Sequence, residues 1–222
     1  MIVAGFLIAI LIAYSAIIIQ RNTEWRTNEI FWKKAIEKEP KASRAYDNLG
    51  QLYQDRKDYD QATAYYVTAI QLNSKNHLAY ANLGSLLAET GDYDQAELFF
   101  LNSIALIPSY KALNNLGLVY DAKGNLTAAE VYLRKAIAYD PHLSKAHMDL
   151  GKTLTKLGML DEAESEFLRA IELRPELSEN HYNLGVFYEA TGRTNEAKAQ
   201  YQIAVSVDPE NAQYRKKLEN FS

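Results

Sequence analysis

From Ser43 onward the apolar residues fall at three- and four-residue spacing, in runs broken by short polar turns. Tyr46, Leu49 and Tyr53 share one helix face in the first run, and Ala62, Tyr66 and Ala69 share one in the second. Then the pair of runs begins again. Leu49-Gly50 returns at Leu83, Leu116, Leu150 and Leu184, each time followed by Gly, at steps of 34, 33, 34 and 34 residues. The pattern predicts five pairs of helices, each pair a hairpin. Two flanking stretches carry the same periodicity without a partner. Residues 28–40 fit the second helix of a pair whose first is missing, with Trp32, Ala35 and Pro40 standing where Tyr66, Ala69 and Ser74 stand one repeat later. At the other end, Tyr214, Leu218 and Phe221 predict a last helix with one apolar face and Arg215, Lys216 and Lys217 outward.

Residue classes other than the large apolar ones keep the same period. Nine of the ten glycines form two series, Gly50, Gly84, Gly117, Gly151, Gly185 and Gly91, Gly124, Gly158, Gly192. All five prolines, Pro40, Pro108, Pro141, Pro175 and Pro209, share one repeat position. Ala62, Ala96, Ala129, Ala163 and Ala197 share another, followed four residues on by Tyr66, Phe100, Leu133, Phe167 and Tyr201. Small residues allow two helices to approach closely, with large residues filling the space around them. The second Gly series suits a left-handed residue ending the first helix, and Pro ends the second. Lys57 stands where four repeats have that Gly, which predicts a weaker cap in the first repeat. The single 33-residue step reads as a deletion in the turn between Pro108 and Tyr110.

With its Tyr46-x2-Leu49-Gly50-x2-Tyr53 and Ala62-x3-Tyr66-x2-Ala69 signatures and a Pro position, the array resembles the tetratricopeptide repeat. The resemblance implies an all-α, right-handed solenoid of five hairpins, 43–76, 77–109, 110–143, 144–177 and 178–210. A juxtamembrane half-repeat at 21–42 and a capping helix at 211–222 flank it.

Residues 1–20, MIVAGFLIAILIAYSAIIIQ, contain no charge. Twenty helical residues span about 30 Å, one hydrocarbon core. With no basic residue before it and no short apolar run ahead of a cleavage site, the segment predicts a retained transmembrane helix rather than a signal peptide. The lipid bilayer is thus an expected partner.

Composition removes several chemistries. A net charge of −4 argues against a nucleic-acid partner, and the absence of Cys removes disulfides, thiolate catalysis and Cys-bound metals together. His147 and His181 share the position of Tyr46 and Tyr80, a packing site, and His77 and His142 fall in or beside turns. No phosphate-binding Gly loop, nucleophile elbow or HExxH occurs. The expectation is a protein with no enzymatic activity, cofactor or metal. Acidic residues such as Glu97, Glu162 and Glu164 read as solvent-facing.

Binding has better support. In the tetratricopeptide fold the first helix of each hairpin lines a groove. One lining position holds Asn48, Asn82, Asn115, Asp149 and Asn183. A column of carboxamides one repeat apart offers a donor and an acceptor to the backbone of an extended peptide. It resembles the asparagine ladder in the repeat domain of O-linked N-acetylglucosamine transferases, interrupted here by Asp149. The alternative is that these Asn bond locally along the array. Lys111, Lys145, Lys152 and Lys156 make the middle of the groove basic. The carboxylate clamp of chaperone-binding repeats is not matched, since Asp47 and Gln51 stand at its first positions.

The junction around Arg21, Asn22, Trp25, Phe31 and Trp32 resembles the end of the membrane region in transmembrane-and-tetratricopeptide O-mannosyltransferases and their bacterial relatives. That resemblance implies a membrane glycosyltransferase as a possible partner, and no activity, because the catalytic region has no counterpart in this sequence. It also implies repeats on the periplasmic or lumenal side, which we take as the expectation. Positive-inside counting of Arg21 and Arg26 places them in the cytoplasm instead. The sequence therefore points to a membrane-anchored scaffold that holds an extended polypeptide or partner protein in its groove. The alternative is a detached substrate-reading domain of a multi-pass O-glycosyltransferase.

Overall fold

The computed structural model describes residues 27–221, which form twelve helices and no strand. The transmembrane helix expected at 1–20, and Arg21, Asn22 and Trp25 of the junction, lie outside the described residues. Among the described residues no helix is long and apolar enough to cross a membrane. The chain divides into two compact units, 1–91 and 92–222.

In the first unit, α1 (27–38) precedes α2 (Ser43–Asp55), α3 (Tyr59–Leu72) and α4 (His77–Glu89). The α2–α3 hairpin closes on Gly50, where a Cβ would come within 2.5 Å of the Tyr66 ring. Tyr66, Ala62 and Ala69 are fully buried beneath that contact. Trp32 and Ala35 of α1 are only half-buried, whereas Tyr66 and Ala69 at the same repeat positions are covered on both sides.

The second unit holds α5 (Tyr93–Leu106), α6 (Tyr110–Ala122), α7 (Leu126–Tyr139), α8 (Ser144–Leu157), α9 (Leu160–Leu173), α10 (Ser178–Ala190), α11 (Thr194–Val207) and α12 (Ala212–Glu219). Each of its three complete hairpins repeats the same close approach, Gly117 on Leu133, Gly151 on Phe167 and Gly185 on Tyr201. Its core runs continuously through Leu133, Leu150, Leu154, Phe167, Leu184 and Tyr201. The last helix covers the end of this core. Tyr214 stacks on Tyr182 at 4.8 Å, Phe221 packs on Tyr201 at 5.5 Å, and Lys198 donates to the Phe221 carbonyl. Arg215 and Lys216 face solvent, while Lys217 turns back to Glu189 at 2.8 Å.

Side-chain oxygens supply the helix starts. Asp58, Asp92 and Asn125 cap second helices, and Asn76 and Ser109 cap first helices. At the end of the first helix Gly124, Gly158 and Gly192 all have φ of +77°, and Lys57 adopts the same left-handed conformation at +62°. The first repeat keeps the turn despite the Cβ strain.

The solvent-facing reading of Glu97 and Glu164 is corrected by a clasp between one hairpin's second helix and the next hairpin's first. Glu97 on α5 accepts from Tyr120 Oη at 2.8 Å and Lys123 Nζ at 2.6 Å. Glu164 on α9 accepts from Tyr188 Oη at 2.8 Å and Arg193 at 2.6 Å. In the first unit Glu29 on α1 accepts from Tyr53 at 2.9 Å and Arg56 at 2.7 Å. Lys33 and Arg56 bring the Glu29 carboxyl down to about 2, and Lys123 lowers that of Glu97. Burial opposes ionisation of Glu164, but Arg193 and Tyr188 outweigh it. Burial and these carboxylates push Tyr120 and Tyr188 up to about 12. The clasp occupies alternate joints. At α3–α4, Thr63 and Leu87 replace the Glu and Tyr, and Thr63 bonds its own helix. At α7–α8, Leu154 is fully buried and Glu130 turns to Arg134 on its own helix.

Candidate functional site

The five positions of the expected ladder lie on first helices, at the same turn of each, which the Leu-Gly register fixes. The amide donors of Asn48, Asn82 and Asn183 are engaged within the chain. Asn48 Nδ2 donates to the Arg44 carbonyl at 2.6 Å and Asn183 Nδ2 to the Glu179 carbonyl at 2.9 Å, each one turn back. Asn82 Nδ2 instead reaches sideways to Asp47 Oδ1 at 3.0 Å. Asn115 is not free either.

The fourth rung reverses the polarity of the sideways bond. Asp149, 7% exposed, accepts from Asn114 Nδ2 at 3.0 Å. Both sideways pairs span 35 residues, one repeat plus one position. Asp47, which stands at a first position of the unmatched clamp, and Asn114, beside the column, are residues the column alone does not single out. Their signal was the carboxylate–carboxamide pairing at that spacing. Burial pushes the Asp149 carboxyl above its ordinary value, against the Asn114 bond and the charges of Lys152 and Lys145. Burial does the same to Asp47, opposed by Asn82. Asn114 is 4% exposed, and its Oδ1 has no hydrogen-bond partner.

Beside this pair, α6 and α8 enclose a hollow of about 290 Å³ lined by Tyr110, Lys111, Asn114, Asn115, Leu143 and Lys145. Lys111 and Lys145 are exposed at its edge, and Lys152 is half-buried one turn along α8. Lys156 is committed elsewhere, in an ion pair with Asp121. The hollow therefore offers two exposed ammonium groups above carboxamides, an arrangement that suits a polypeptide backbone carrying acidic side chains.

The histidines are structural. His181 Nε2 bonds the Pro175 carbonyl at 3.2 Å, as Tyr46 Oη bonds that of Pro40 at 3.3 Å. His147 Nε2 meets the Pro141 carbonyl at 3.1 Å, and its Nδ1 meets a Glu166 carboxylate oxygen at 2.6 Å. Both neighbours accept, so both ring nitrogens must donate. Burial opposes the charge, but Glu166 and Pro141 outweigh it and raise the His147 pKa. Among the described residues no cluster of three or more His, Asp or Glu is placed to hold a metal.

Profiles of the tetratricopeptide repeat match residues 41–109, 122–176 and 166–199. The chain is a tetratricopeptide-repeat protein. No curated protein matches it at a significant level. Among solved structures, this repeat protein is similar to YrrB, described as a TPR protein with an unusual peptide-binding site. The identity is 25%, the TM-score 0.64, and the match covers 85% of this chain and 97% of that one. PilW, described as a type IV pilus biogenesis factor, matches at 20% identity and TM-score 0.80 over 90% of this chain and 92% of its own. The thermophilic TPR protein TTC0263 of Thermus thermophilus matches at 24% and 0.69, over 81% and 98%. The last two likenesses concern the fold alone. The family match and the likeness to YrrB place the chain among protein-interaction scaffolds.

Proposed function

We propose that this repeat protein is a membrane-anchored scaffold that binds an extended polypeptide along its first helices, with the α6–α8 hollow as the central contact. The observation that carries the reading is that Lys111 and Lys145 flank a polar hollow floored by carboxamides, without an ion pair of their own among the described residues. Because the Asn48, Asn82 and Asn183 donors are engaged within the chain and Lys111 and Lys145 are exposed, a ligand meets the lysines first. The Asn column contributes only by exchanging internal bonds for peptide ones. The peptide-binding site named for YrrB supports the class of ligand. Anchoring rests on the uncharged residues 1–20 and makes the bilayer the second partner. We place the repeats on the periplasmic or lumenal side, following the junction resemblance. The narrower reading, a non-catalytic substrate-reading domain working with a multi-pass O-glycosyltransferase, rests on the junction residues alone.

The test is a peptide library presented to the full chain in nanodiscs. Enrichment of extended acidic sequences, lost in the Lys111→Glu, Lys145→Glu double variant with its helicity intact, supports the proposal. Enrichment that the double variant leaves unchanged removes the hollow from the mechanism.

A further inference from the structure

A second hollow, of about 340 Å³, opens elsewhere in the 92–222 unit, beside the turn between α5 and α6. Its walls are apolar, from Ile104, Pro108, Tyr132 and Tyr139, with Leu113 at its base and Ala138 and Lys135 at its edge. Comparison between the repeats of this chain explains why it exists. The position of Leu113 is a ring in every other repeat, Tyr46, Tyr80, His147 and His181. In three of these the polar atom of the ring reaches the carbonyl of the proline six residues before it, at 3.3 Å from Tyr46, 3.1 Å from His147 and 3.2 Å from His181. In the first repeat that ring also packs on Tyr65, the counterpart of Tyr132, with centroids 6.3 Å apart. Ahead of the third repeat that proline is Pro108, five residues before Leu113, and the packing partner, Tyr132, is present, but the aliphatic Leu113 ends short and carries no polar atom. It is also the repeat preceded by the shortened turn.

The hollow thus keeps most of the surroundings of an aromatic ring without the ring. Charge specifies the occupant further. Lys135 lies at the edge with its Nζ 4.8 Å from the Tyr132 ring centroid, so a positive charge borders an apolar hollow. We propose that this is a binding site for an aromatic side chain with a carboxylate close to it, supplied by a partner polypeptide. The ring enters between Pro108 and Tyr132 and the carboxylate meets Lys135. The site is separate from the α6–α8 hollow, and shares none of its lysines.

The probes are 3-(4-hydroxyphenyl)propionate and its uncharged counterpart 4-ethylphenol, titrated by ligand-observed NMR into the full chain in nanodiscs. Both bind in the expected result, the acid about fivefold more tightly, as for a solvent-edge charge pair. Leu113→Tyr restores the arrangement of Tyr46 on Tyr65, and Ala138→Phe plugs the hollow from an exposed position. Each weakens both probes by at least about tenfold. Lys135→Met brings the acid to the level of 4-ethylphenol and leaves 4-ethylphenol unchanged. Absence of probe binding, or binding that neither filling variant affects, overturns the proposal. So does a self-association, seen by sedimentation, that Leu113→Tyr abolishes, because the occupant would then be a second copy of this chain.

Discussion

Gly117→Ala puts a methyl group in place of one hydrogen where α6 crosses α7, and the structure specifies what its carbon meets. Its Cβ would lie 2.7 Å from Leu133 Cγ, 3.0 Å from Leu133 Cδ2 and 3.3 Å from the Ala129 carbonyl oxygen. Favourable carbon contacts begin near 3.5 Å, so the helices must separate or Leu133 must leave its rotamer. Overpacking of this kind costs about 1–3 kcal/mol, while replacing a mid-helix Gly by Ala returns about 1 kcal/mol. The expected net loss is about 0–2 kcal/mol, a fall in Tm of up to about 8 °C for a protein of this length. The sharper measurement is a double-mutant cycle followed by circular dichroism in urea. Leu133→Ala alone costs about 2–5 kcal/mol through the cavity it leaves. In that background the added methyl no longer meets a leucine, so Gly117→Ala becomes neutral or stabilising. The coupling should reach about 1–3 kcal/mol. Gly124→Ala is the control. No atom lies within 4 Å of its Cβ, and its cost of about 1–2 kcal/mol comes from the φ of +77° alone, indifferent to Leu133. Equal costs for Gly117→Ala in both backgrounds would refute the packing argument.

Lys57→Gly relieves the one left-handed non-Gly residue among those described and should raise stability by about 0.5–1 kcal/mol in urea denaturation. The His147 pKa is raised on folding, so its contribution is complete below the unfolded value near 6.5 and fades as pH rises through the folded value. Thermal scans from pH 5.5 to 8.5 should show this slope in the wild type, and His147→Gln should flatten it. The clasp carboxyls behave oppositely. Glu29, at about 2 when folded, contributes above its unfolded value and loses that contribution as pH falls from about 4.5 toward 2, a loss that Glu29→Gln should reduce. Full-length protein should sediment with membranes and resist carbonate extraction, and its recovery in the soluble fraction with a shortened N-terminus would identify residues 1–20 as a cleaved signal.

The hairpins were legible in the sequence because their contacts are made by residue classes that recur. Gly50, Gly117, Gly151 and Gly185 each lie under the large residue sixteen positions on, and the period alone pairs them. Contacts between repeats were less legible, because they use positions whose identity varies. Glu97 looked solvent-facing on its own helix, and only the approach of Tyr120 and Lys123 from the next first helix half-buries it. The Asn column was found as a column. Its sideways bonds to Asp47, and from Asn114 to Asp149, depend on the stagger between neighbouring first helices, which one helix's periodicity does not contain. Leu113 carries no signal in the sequence for a related reason. An apolar residue in a packing position signals nothing until the ring it replaces has been located in the sister repeats.

The alternation of clasps has a bearing on how the protein responds to its surroundings. In a linear array each joint opens with its own free energy, and no distant contact compensates for a weak one. The clasps of Glu, Tyr and Arg or Lys loosen as added salt screens their charges, while the apolar contacts of Leu87 and Leu154 at the same place in the other joints are indifferent to it or tighten. Ionic strength and acidity thereby act on the clasps, and chaotropes on the apolar contacts that replace them. Added salt should therefore raise amide exchange at α1–α2, α5–α6 and α9–α10, where the clasp carboxylates sit.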